Sequence, residues 1–342
     1  KSTIRLNEYV ETGKLLGYKQ LALTDDGVLH GAVEFYERCI ANGIQPILGC
    51  TFEVAWKSDS SKKEMVIVYA KSEKGYESLL KLSTLYQQGL TWTKEMTEWI
   101  KSHSADVKFV LPPMESEWVA AHSKGRLEAV LRAVKEEFSG VEIAVGITRE
   151  MVERGEFQQM RTGIEASGVI PVAFSASRYL NTTDYFPWKV LQAIRLGETL
   201  SFTQQDATGS ESLPEATSMT KVFQLAEDGV LLSNLERFTS DLAVKIPLQD
   251  TMLPKFKVPQ GKTSAQFLYE LCEASMLEMG VTTPVYVNRL KEELAVIHDM
   301  GFDDYFLIVW DIMRFAREQG IQTGAGRGSA AGSLVSYLLR IT

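Results

Sequence analysis

The chain has 342 residues, of which 45% are hydrophobic and 23% are charged, and its net charge at pH 7 is −8. This is the composition of a globular protein long enough for about two domains. It excludes a chain-wide basic surface, so any binding of nucleic acid has to come from a local patch or from residues outside this sequence. No apolar run reaches the about 18 residues that a membrane span needs, which predicts no membrane contact.

Strand-like and helical patterns alternate from the start of the chain to Gly197. The strand-like runs are "QLALT", "PILGC", "EMVIVYA", "KFVLP", "VEIAVGI" and "VIPVAF". Most of them are separated by helical spacing, as in the helix before Gly43. The alternation predicts a mostly parallel sheet or barrel that helices wrap, with the loops at the strand ends available for a site.

The pattern changes after Gly197. A polar, turn-rich stretch follows, and the rest is nearly all helical except for "LPKFKVPQG", which is typical of an extended linker. We therefore predict one domain over residues 1–253 and a second over 254–342. The chain begins at Lys1 and stops within a helical pattern, so we expect it to be part of a longer protein.

The cysteine and histidine residues indicate neither a metal site nor a set of disulfides. The three cysteines, Cys39, Cys50 and Cys272, are scattered, which predicts buried thiols in a reducing cytoplasm. The four histidines have unrelated spacings, which favours surface or packing positions over metal binding. They are His30, His103, His122 and His298.

A stretch with little side chain, "GAGRGSAAGS" at residues 324–333, precedes the last helical pattern. Glycines let a backbone approach a ligand closely, and the N–H groups that begin a helix favour an anion. Arg327 offers a guanidinium fork and Ser329 a hydroxyl at the expected N-cap, and no acid lies between residues 319 and 342. Phosphate is the natural ligand. By pattern alone, a flexible turn between two helices is an equally open interpretation, because no Walker or dinucleotide motif is present.

The helical part, from "LPKFKVPQGKTSAQFLYELC" through "RLKEELAVIHDMGFDDYFLIVWDIMRFAREQG" to Thr342, resembles the C-family replicative DNA polymerases of bacteria. The resemblance implies that this part begins the polymerase palm and that the GRGS loop holds the triphosphate of the incoming nucleotide. The residues at the matching positions are Gly326, Arg327, Gly328 and Ser329. Ala325 stands where the family usually has proline.

The first part resembles the polymerase-and-histidinol-phosphatase (PHP) domain of the same family, in "LGYKQLALTDDGVLHGAVEFYERCIANGIQPILGC". The resemblance implies a distorted β/α barrel whose active members bind metals at the strand ends. Where the family often has "TDH", "GCE" and "NDVHYL", this chain has "TDD", "GCT" and "SASRYL". The matching positions predict a degenerate site without metal, made of Asp25, Asp26, Thr51, Ala176 and Arg178.

The acids of that site have two readings. Asp25 and Asp26 could be an acid–base or metal-binding pair, and a capped turn before the next helix is the favoured alternative. Because arginine cannot coordinate a cation, we expect Arg178 to take the place of a metal by pairing with one of these carboxylates.

The resemblance implies a parent enzyme that makes DNA from dNTPs on a primer-template, with Mg²⁺ held by carboxylates beyond Thr342, so the chain alone is expected to be inactive. The expected location is the cytoplasm, and the expected partners are the sliding clamp, the clamp loader or a proofreading subunit. Two alternatives remain open: a non-catalytic scaffold that docks partners, and a PHP domain acting as a metal-dependent 3′–5′ exonuclease or phosphoesterase.

Aromatic and aliphatic residues recur at helical spacing before the glycine stretch. They could form a base-stacking surface, but the spacing favours packing in a core. The residues are Phe306, Ile308, Trp310, Ile312 and Phe315.

Overall fold

The computed structural model describes residues 2–55, 63–89, 91–114, 116–199, 211–225, 229–248, 253–324 and 328–342. The chain divides into two compact units, Lys1–Pro247 and Leu248–Thr342. The division lies close to the boundary expected after residue 253, and the assignment of domains stays a prediction. No helix in the described ranges is both long enough and apolar enough to cross a membrane.

In the described part of the first unit, six strands form one sheet, in the order in which they occur in the chain. They are β1 (Gln20–Leu23), β2 (Gln45–Ala55), β3 (Lys63–Ala70), β4 (Val107–Leu111), β5 (Glu142–Ile147) and β6 (Ile170–Ala173). Neighbouring strands are parallel except at β3, which runs antiparallel to both β2 and β4. Only seven residues separate the end of β2 from the start of β3, which is too short for the crossover that parallel strands need, so these two strands pair antiparallel.

Eleven helices lie in the described part of this unit. They are α1 (Leu6–Leu15), α2 (Ala32–Ala41), α3 (Glu73–Gly89), α4 (Lys94–Ser102), α5 (Glu117–His122), α6 (Leu127–Glu137), α7 (Arg149–Glu153), α8 (Glu156–Ser167), α9 (Tyr185–Leu196), α10 (Ala216–Leu225) and α11 (Val230–Thr239). Helix α2 ends before Gly43, whose φ of 69° is a left-handed value that favours glycine. The predicted alternation of strands and helices is confirmed.

The two faces of the sheet carry separate cores, because successive side chains of a strand point to opposite sides. Phe52, Val68 and Phe109 lie in the larger core, which most of the helices complete. Tyr69 and Val110 lie on the other face, in a smaller core that also contains Phe238 and Leu242, at and beyond the end of α11. The sheet is therefore covered on both sides, as expected for a barrel-like α/β domain.

Lys108 ties α11 to the sheet. Its side chain is only 3% exposed, and its Nζ lies 2.6 Å from Oδ1 of Asp241 and 2.8 Å from Oε2 of Glu142. Nζ also donates to the carbonyl oxygen of Phe238 at 2.8 Å. A buried ammonium group needs such partners to offset the loss of hydration, so this cluster holds the segment that follows α11 against β4 and β5.

The sheet curls into a half-barrel, and chain segments from both of its edges meet. The segment after β6 contacts the first residues of the chain, since Thr3 N donates to the carbonyl of Arg178 at 3.0 Å. A strap of residues 211–216 contacts the segment before β1 and the segment after β6. Its Pro214 carbonyl accepts from Tyr18 Oη at 2.9 Å, and Leu213 N donates to the carbonyl of Tyr179 at 3.1 Å.

The second unit is helical, as predicted. It contains α12 (Ser264–Met279), α13 (Pro284–Asp299), α14 (Asp303–Glu318), a 3₁₀ turn at Ser329–Gly332 and α15 (Leu334–Leu338). Leu268, Leu307 and Val335 are fully buried between these helices. Helix α12 begins with a capping box at Thr263 and Gln266, which satisfies N–H groups of its first turn.

The aromatic stripe of α14 is only partly in this core. Phe306 and Trp310 pack against it. Ile312 is 60% exposed and Phe315 is 56% exposed, so the prediction that these two are core residues is wrong. Only one narrow side of α14, which includes Leu307 and Ala316, is buried. The apolar residues Ile312 and Phe315 on the other side are exposed.

Candidate functional site

The predicted PHP site begins where β1 ends, and the backbone brings three of its residues together. Thr51 N donates to the carbonyl of Asp25 at 3.0 Å, and Asp26 forms a parallel bridge with Thr51. The Thr51 hydroxyl donates to the carbonyl of Thr24 at 2.8 Å. The Thr51 side chain therefore stabilises the turn between β1 and α2.

The turn does not cap α2. The N-cap of that helix is Gly31, and no side chain accepts a hydrogen bond there. Of the favoured interpretation, a capped turn before the next helix, the structure has the turn, but neither Asp25 nor Asp26 caps α2. What holds this turn is its backbone pairing with Thr51.

The ionised form of the Asp25 carboxyl group is disfavoured. Burial raises the pKa of this carboxyl, and the carboxylate of Asp26 raises it further, while His30 acts in the opposite direction. Beneath the turn, the Cys50 thiol donates to the carbonyl of Asp25 at 3.4 Å. Burial raises the pKa of Cys50 to about 12, so this thiol is protonated at neutral pH.

Arg178 pairs with a carboxylate other than the predicted ones. Its Nε lies 4.0 Å from Oε1 of Glu211, and within the described ranges no ion pair joins it to Asp25 or Asp26. Its backbone N–H donates to the Glu211 carbonyl at 2.7 Å. The expected pairing is therefore corrected: the counter-charge belongs to the strap at residues 211–216, which no sequence pattern placed beside β6. Burial raises the pKa of Glu211, and Arg178 opposes that rise.

The residues that follow β6 bring an aromatic ring and a methyl group to the predicted site. Phe174 lies so close to β5 that a Cβ on Gly146 would come within 2.7 Å of its Cγ. Ala176, two residues further on, has no donor atom for a metal. Among the described residues, no group of three or more His, Cys, Asp or Glu side chains is arranged to hold a metal ion. The residues present at this site do not fit a metal cluster.

The glycine stretch is described in part. Gly326 and Arg327 lie outside the described residues, and so does the side chain of Ser329. Gly328 has φ 80° and ψ −163°, a combination essentially restricted to glycine. A Cβ added to Gly328 would have no neighbour within 4 Å, so the backbone conformation itself requires glycine at this position.

The helix after the glycine stretch begins later than predicted. The 3₁₀ turn at Ser329–Gly332 comes first, and Ser333 is the N-cap of α15, with its Oγ accepting from Ser336 N at 3.1 Å. The prediction that Ser329 is this N-cap is therefore wrong. Ser329 opens the 3₁₀ turn instead.

The first N–H groups of α15 already have an anion, which the sequence reasoning missed. Glu293 of α13 accepts from Leu334 N at 3.1 Å and from Val335 N at 3.0 Å. The same carboxylate accepts from the Ser333 hydroxyl at 2.8 Å and pairs with Arg289 Nε at 2.6 Å. Burial acts to raise the pKa of Glu293, but these four hydrogen bonds outweigh it and hold that pKa below its usual range.

Two family models match the chain. The first describes the PHP domain and matches residues 1–157. The second describes the bacterial DNA polymerase III alpha NTPase domain and matches residues 266–342, which include the glycine stretch. The matches fall in the two units of the structure.

Relatives match over the whole chain. The DNA polymerase III subunit alpha of Halalkalibacterium halodurans is 36% identical, and that of Bacillus subtilis is 32% identical. Each alignment covers 100% of this chain and 31% of the relative, so the chain spans about a third of the length of these relatives. An amidohydrolase structure from Chromobacterium violaceum is 10% identical with a TM-score of 0.34, over 51% of this chain and 82% of that chain.

Proposed function

We infer, from the homology of this chain along its whole length to bacterial DNA polymerase III alpha subunits, that it is the PHP and early palm region of a DNA-directed DNA polymerase. The observation that carries the proposal is the chemistry of one segment. The match to the polymerase model contains a stretch without acids in which Gly328 adopts a conformation that only glycine takes readily.

In the proposed reaction, a primer 3′-hydroxyl attacks the α-phosphate of a dNTP and pyrophosphate leaves. Mg²⁺, when bound to carboxylates that we place outside these 342 residues, supplies charge stabilisation for the attacking and leaving oxygens. The role of this chain is to bind and orient the triphosphate. Backbone N–H groups at Gly326 and Gly328, the guanidinium of Arg327 and the hydroxyl of Ser329 are the donors that we assign to it.

We assign a structural role to the PHP unit. The Thr51 hydroxyl is engaged by a backbone carbonyl, and Arg178 is engaged by Glu211, so neither side chain is set up for metal-dependent hydrolysis. A 3′–5′ exonuclease or phosphoesterase activity of this unit is the less favoured candidate. A scaffold that docks partners is compatible with the structural role.

The finer expectations belong to the same proposal. The substrates are primer-template DNA and dNTPs, and the location is the cytoplasm. The partners are drawn from the sliding clamp, the clamp loader and a proofreading subunit. The 342-residue chain by itself is expected to be inactive, since the catalytic carboxylates are assigned elsewhere.

The test uses the full-length parent protein and steady-state incorporation of each dNTP. Arg327→Ala and Ser329→Ala are each expected to raise the KM for all four dNTPs alike by about tenfold, because each removes a charge-assisted hydrogen bond to phosphate. Affinity for primer-template DNA should stay unchanged. Arg314→Ala is the matched control, since it removes an exposed arginine of the same unit whose partners are Asp311 and Glu318.

Two results would contradict the proposal. One is a KM for dNTPs that neither variant changes. The other is 3′–5′ exonuclease activity of the parent that Arg178→Ala abolishes, which would favour the hydrolytic candidate.

A further inference from the structure

The end of the glycine stretch is attached to α13 by one carboxylate. Glu293 receives two backbone N–H groups, from Leu334 and Val335, and the hydroxyl of Ser333. Its side chain is only 12% exposed. Three consecutive residues at the corner between the 3₁₀ turn and α15 are therefore held by a single side chain from another helix.

This carboxylate provides a charge that the segment lacks. Residues 319–342 contain no acid, and the N-terminus of a helix favours a negative charge. Arg289, one turn before Glu293 on α13, donates to Oε1 and orients the carboxylate from its outer side. With Glu293 in place, α15 has no free N–H at Leu334 or Val335 to offer to a phosphate.

The rest of α15 is also held. Val335 and Leu338 are buried in the core of the second unit, and Ser275 Oγ of α12 donates to the carbonyl of Leu338 at 2.6 Å. The short helix thus has little freedom to move. Glu293 therefore also fixes the corner at Ser333. Ser333 directly follows the 3₁₀ turn at Ser329–Gly332, and Gly328 is the N-cap of that turn.

We propose that Glu293 is a positioning residue for triphosphate binding: it holds the corner at Ser333–Val335 against α13 and so sets the position of Gly328 and of the turn that follows it. The inference rests on the proposed function, because it assumes that this segment contacts the triphosphate. Glu293 itself does not touch the nucleotide.

The effect should appear in the KM for dNTPs. A triphosphate contact exists in the ground state and in the transition state, so a misplaced contact weakens both and raises KM more than it changes kcat. A purely structural role for Glu293 has a different signature. Fewer folded molecules would lower the apparent kcat and leave KM unchanged.

The experiment compares Glu293→Gln with the wild type in the full-length parent, for each of the four dNTPs. Glutamine keeps the shape but presents an NH₂ group to donors that need an acceptor. We expect KM to rise about tenfold for all four dNTPs, with kcat and affinity for primer-template DNA changed by less than about threefold. Glu273→Gln changes an exposed glutamate of the same unit that accepts from Tyr269 Oη, and it should leave KM unchanged.

A second variant keeps the test decisive if Glu293→Gln is poorly folded. Arg289→Gln removes a half-exposed partner and should raise KM by about threefold. Where Glu293→Gln folds, Ser333→Ala combined with Glu293→Gln should raise KM no more than Glu293→Gln alone, within about twofold, because both residues act through one corner.

The outcomes separate the inference from the proposed function. If the wild type incorporates dNTPs and Arg327→Ala raises KM, but Glu293→Gln and Arg289→Gln do not, the inference is overturned and the proposed function stands. Additive effects of Ser333→Ala and Glu293→Gln would also overturn it. If the wild type incorporates no dNTP, the proposed function fails and the inference fails with it.

Discussion

Arg178 and Glu211 join the segment after β6 to the strap at residues 211–216 twice: their side chains lie 4.0 Å apart, and Arg178 N donates to the Glu211 carbonyl at 2.7 Å. Both side chains are about 30% exposed. Arg178 thus helps to close the half-barrel. Its contribution is mainly geometric, because a long, half-exposed ion pair is weak.

Arg178→Ala is therefore expected to lower the free energy of unfolding by no more than about 1 kcal/mol, since the backbone bond between the two segments remains. Urea denaturation of the purified chain measures it, and Arg154→Ala, which removes an exposed partner of Glu156, is the control. A loss of about 3 kcal/mol would instead indicate that Arg178 compensates a buried carboxylate such as Asp25.

The purified chain is expected to contain no stoichiometric Zn, Mn or Fe. The physical reason is the donor set, in which Ala176 offers no ligand atom and the cation of Arg178 repels a metal. Elemental analysis after dialysis tests this expectation. Two or three metal ions retained per chain would refute it.

Asp304 predicts a loss of stability in acid. Burial acts to raise the pKa of this carboxyl, but Ser264 Oγ, Phe256 N and Lys255 Nζ donate to it at 2.6, 2.9 and 3.1 Å and hold that pKa below its ordinary value. The stabilisation is therefore complete above the unfolded pKa of about 3.9 and is lost as the pH falls through the lower folded pKa.

The corresponding measurement is urea denaturation at several values between about pH 5 and pH 2. Asp304→Asn should be less stable than the wild type near neutral pH and should lose less stability over this range. Asp299→Asn changes an exposed carboxylate at the end of α13 and serves as the control. Equal pH dependence in wild type and Asp304→Asn would contradict the assignment.

Gly328→Ala should impair the proposed polymerase activity of the parent through backbone strain. A non-glycine residue at φ 80° and ψ −163° costs about 1–3 kcal/mol, so the segment should adopt another conformation. Since each 1 kcal/mol of lost binding raises KM by about fivefold, the KM for dNTPs should rise at least fivefold. Gly332→Ala is a matched control four residues later, because Gly332 has no positive φ and open space around its Cα. Unchanged kinetics in Gly328→Ala would mean that the stretch only connects two helices.

Several elements could be predicted from the sequence because their causes are local. The apolar spacing and Gly43 indicate the extent of α2, and the apolar runs match the six strands. The glycine at residue 328 signals a special backbone conformation, which the structure has. Local patterns did not indicate that β3 and β4 pair antiparallel, because direction depends on how the strands connect and pair.

The details of the two sites depend on residues far apart in the chain. The partner of Arg178 comes from the strap, and the anion at the start of α15 comes from α13. The sequence by itself determined the strands and many of the helices, the acid-free glycine segment and the lack of metal-ligand residue types at Ala176 and Arg178. Only the tertiary structure decided which carboxylate meets Arg178 and which occupies the N-terminus of α15, because side-chain partners are chosen by packing between elements and leave no periodic pattern in the sequence.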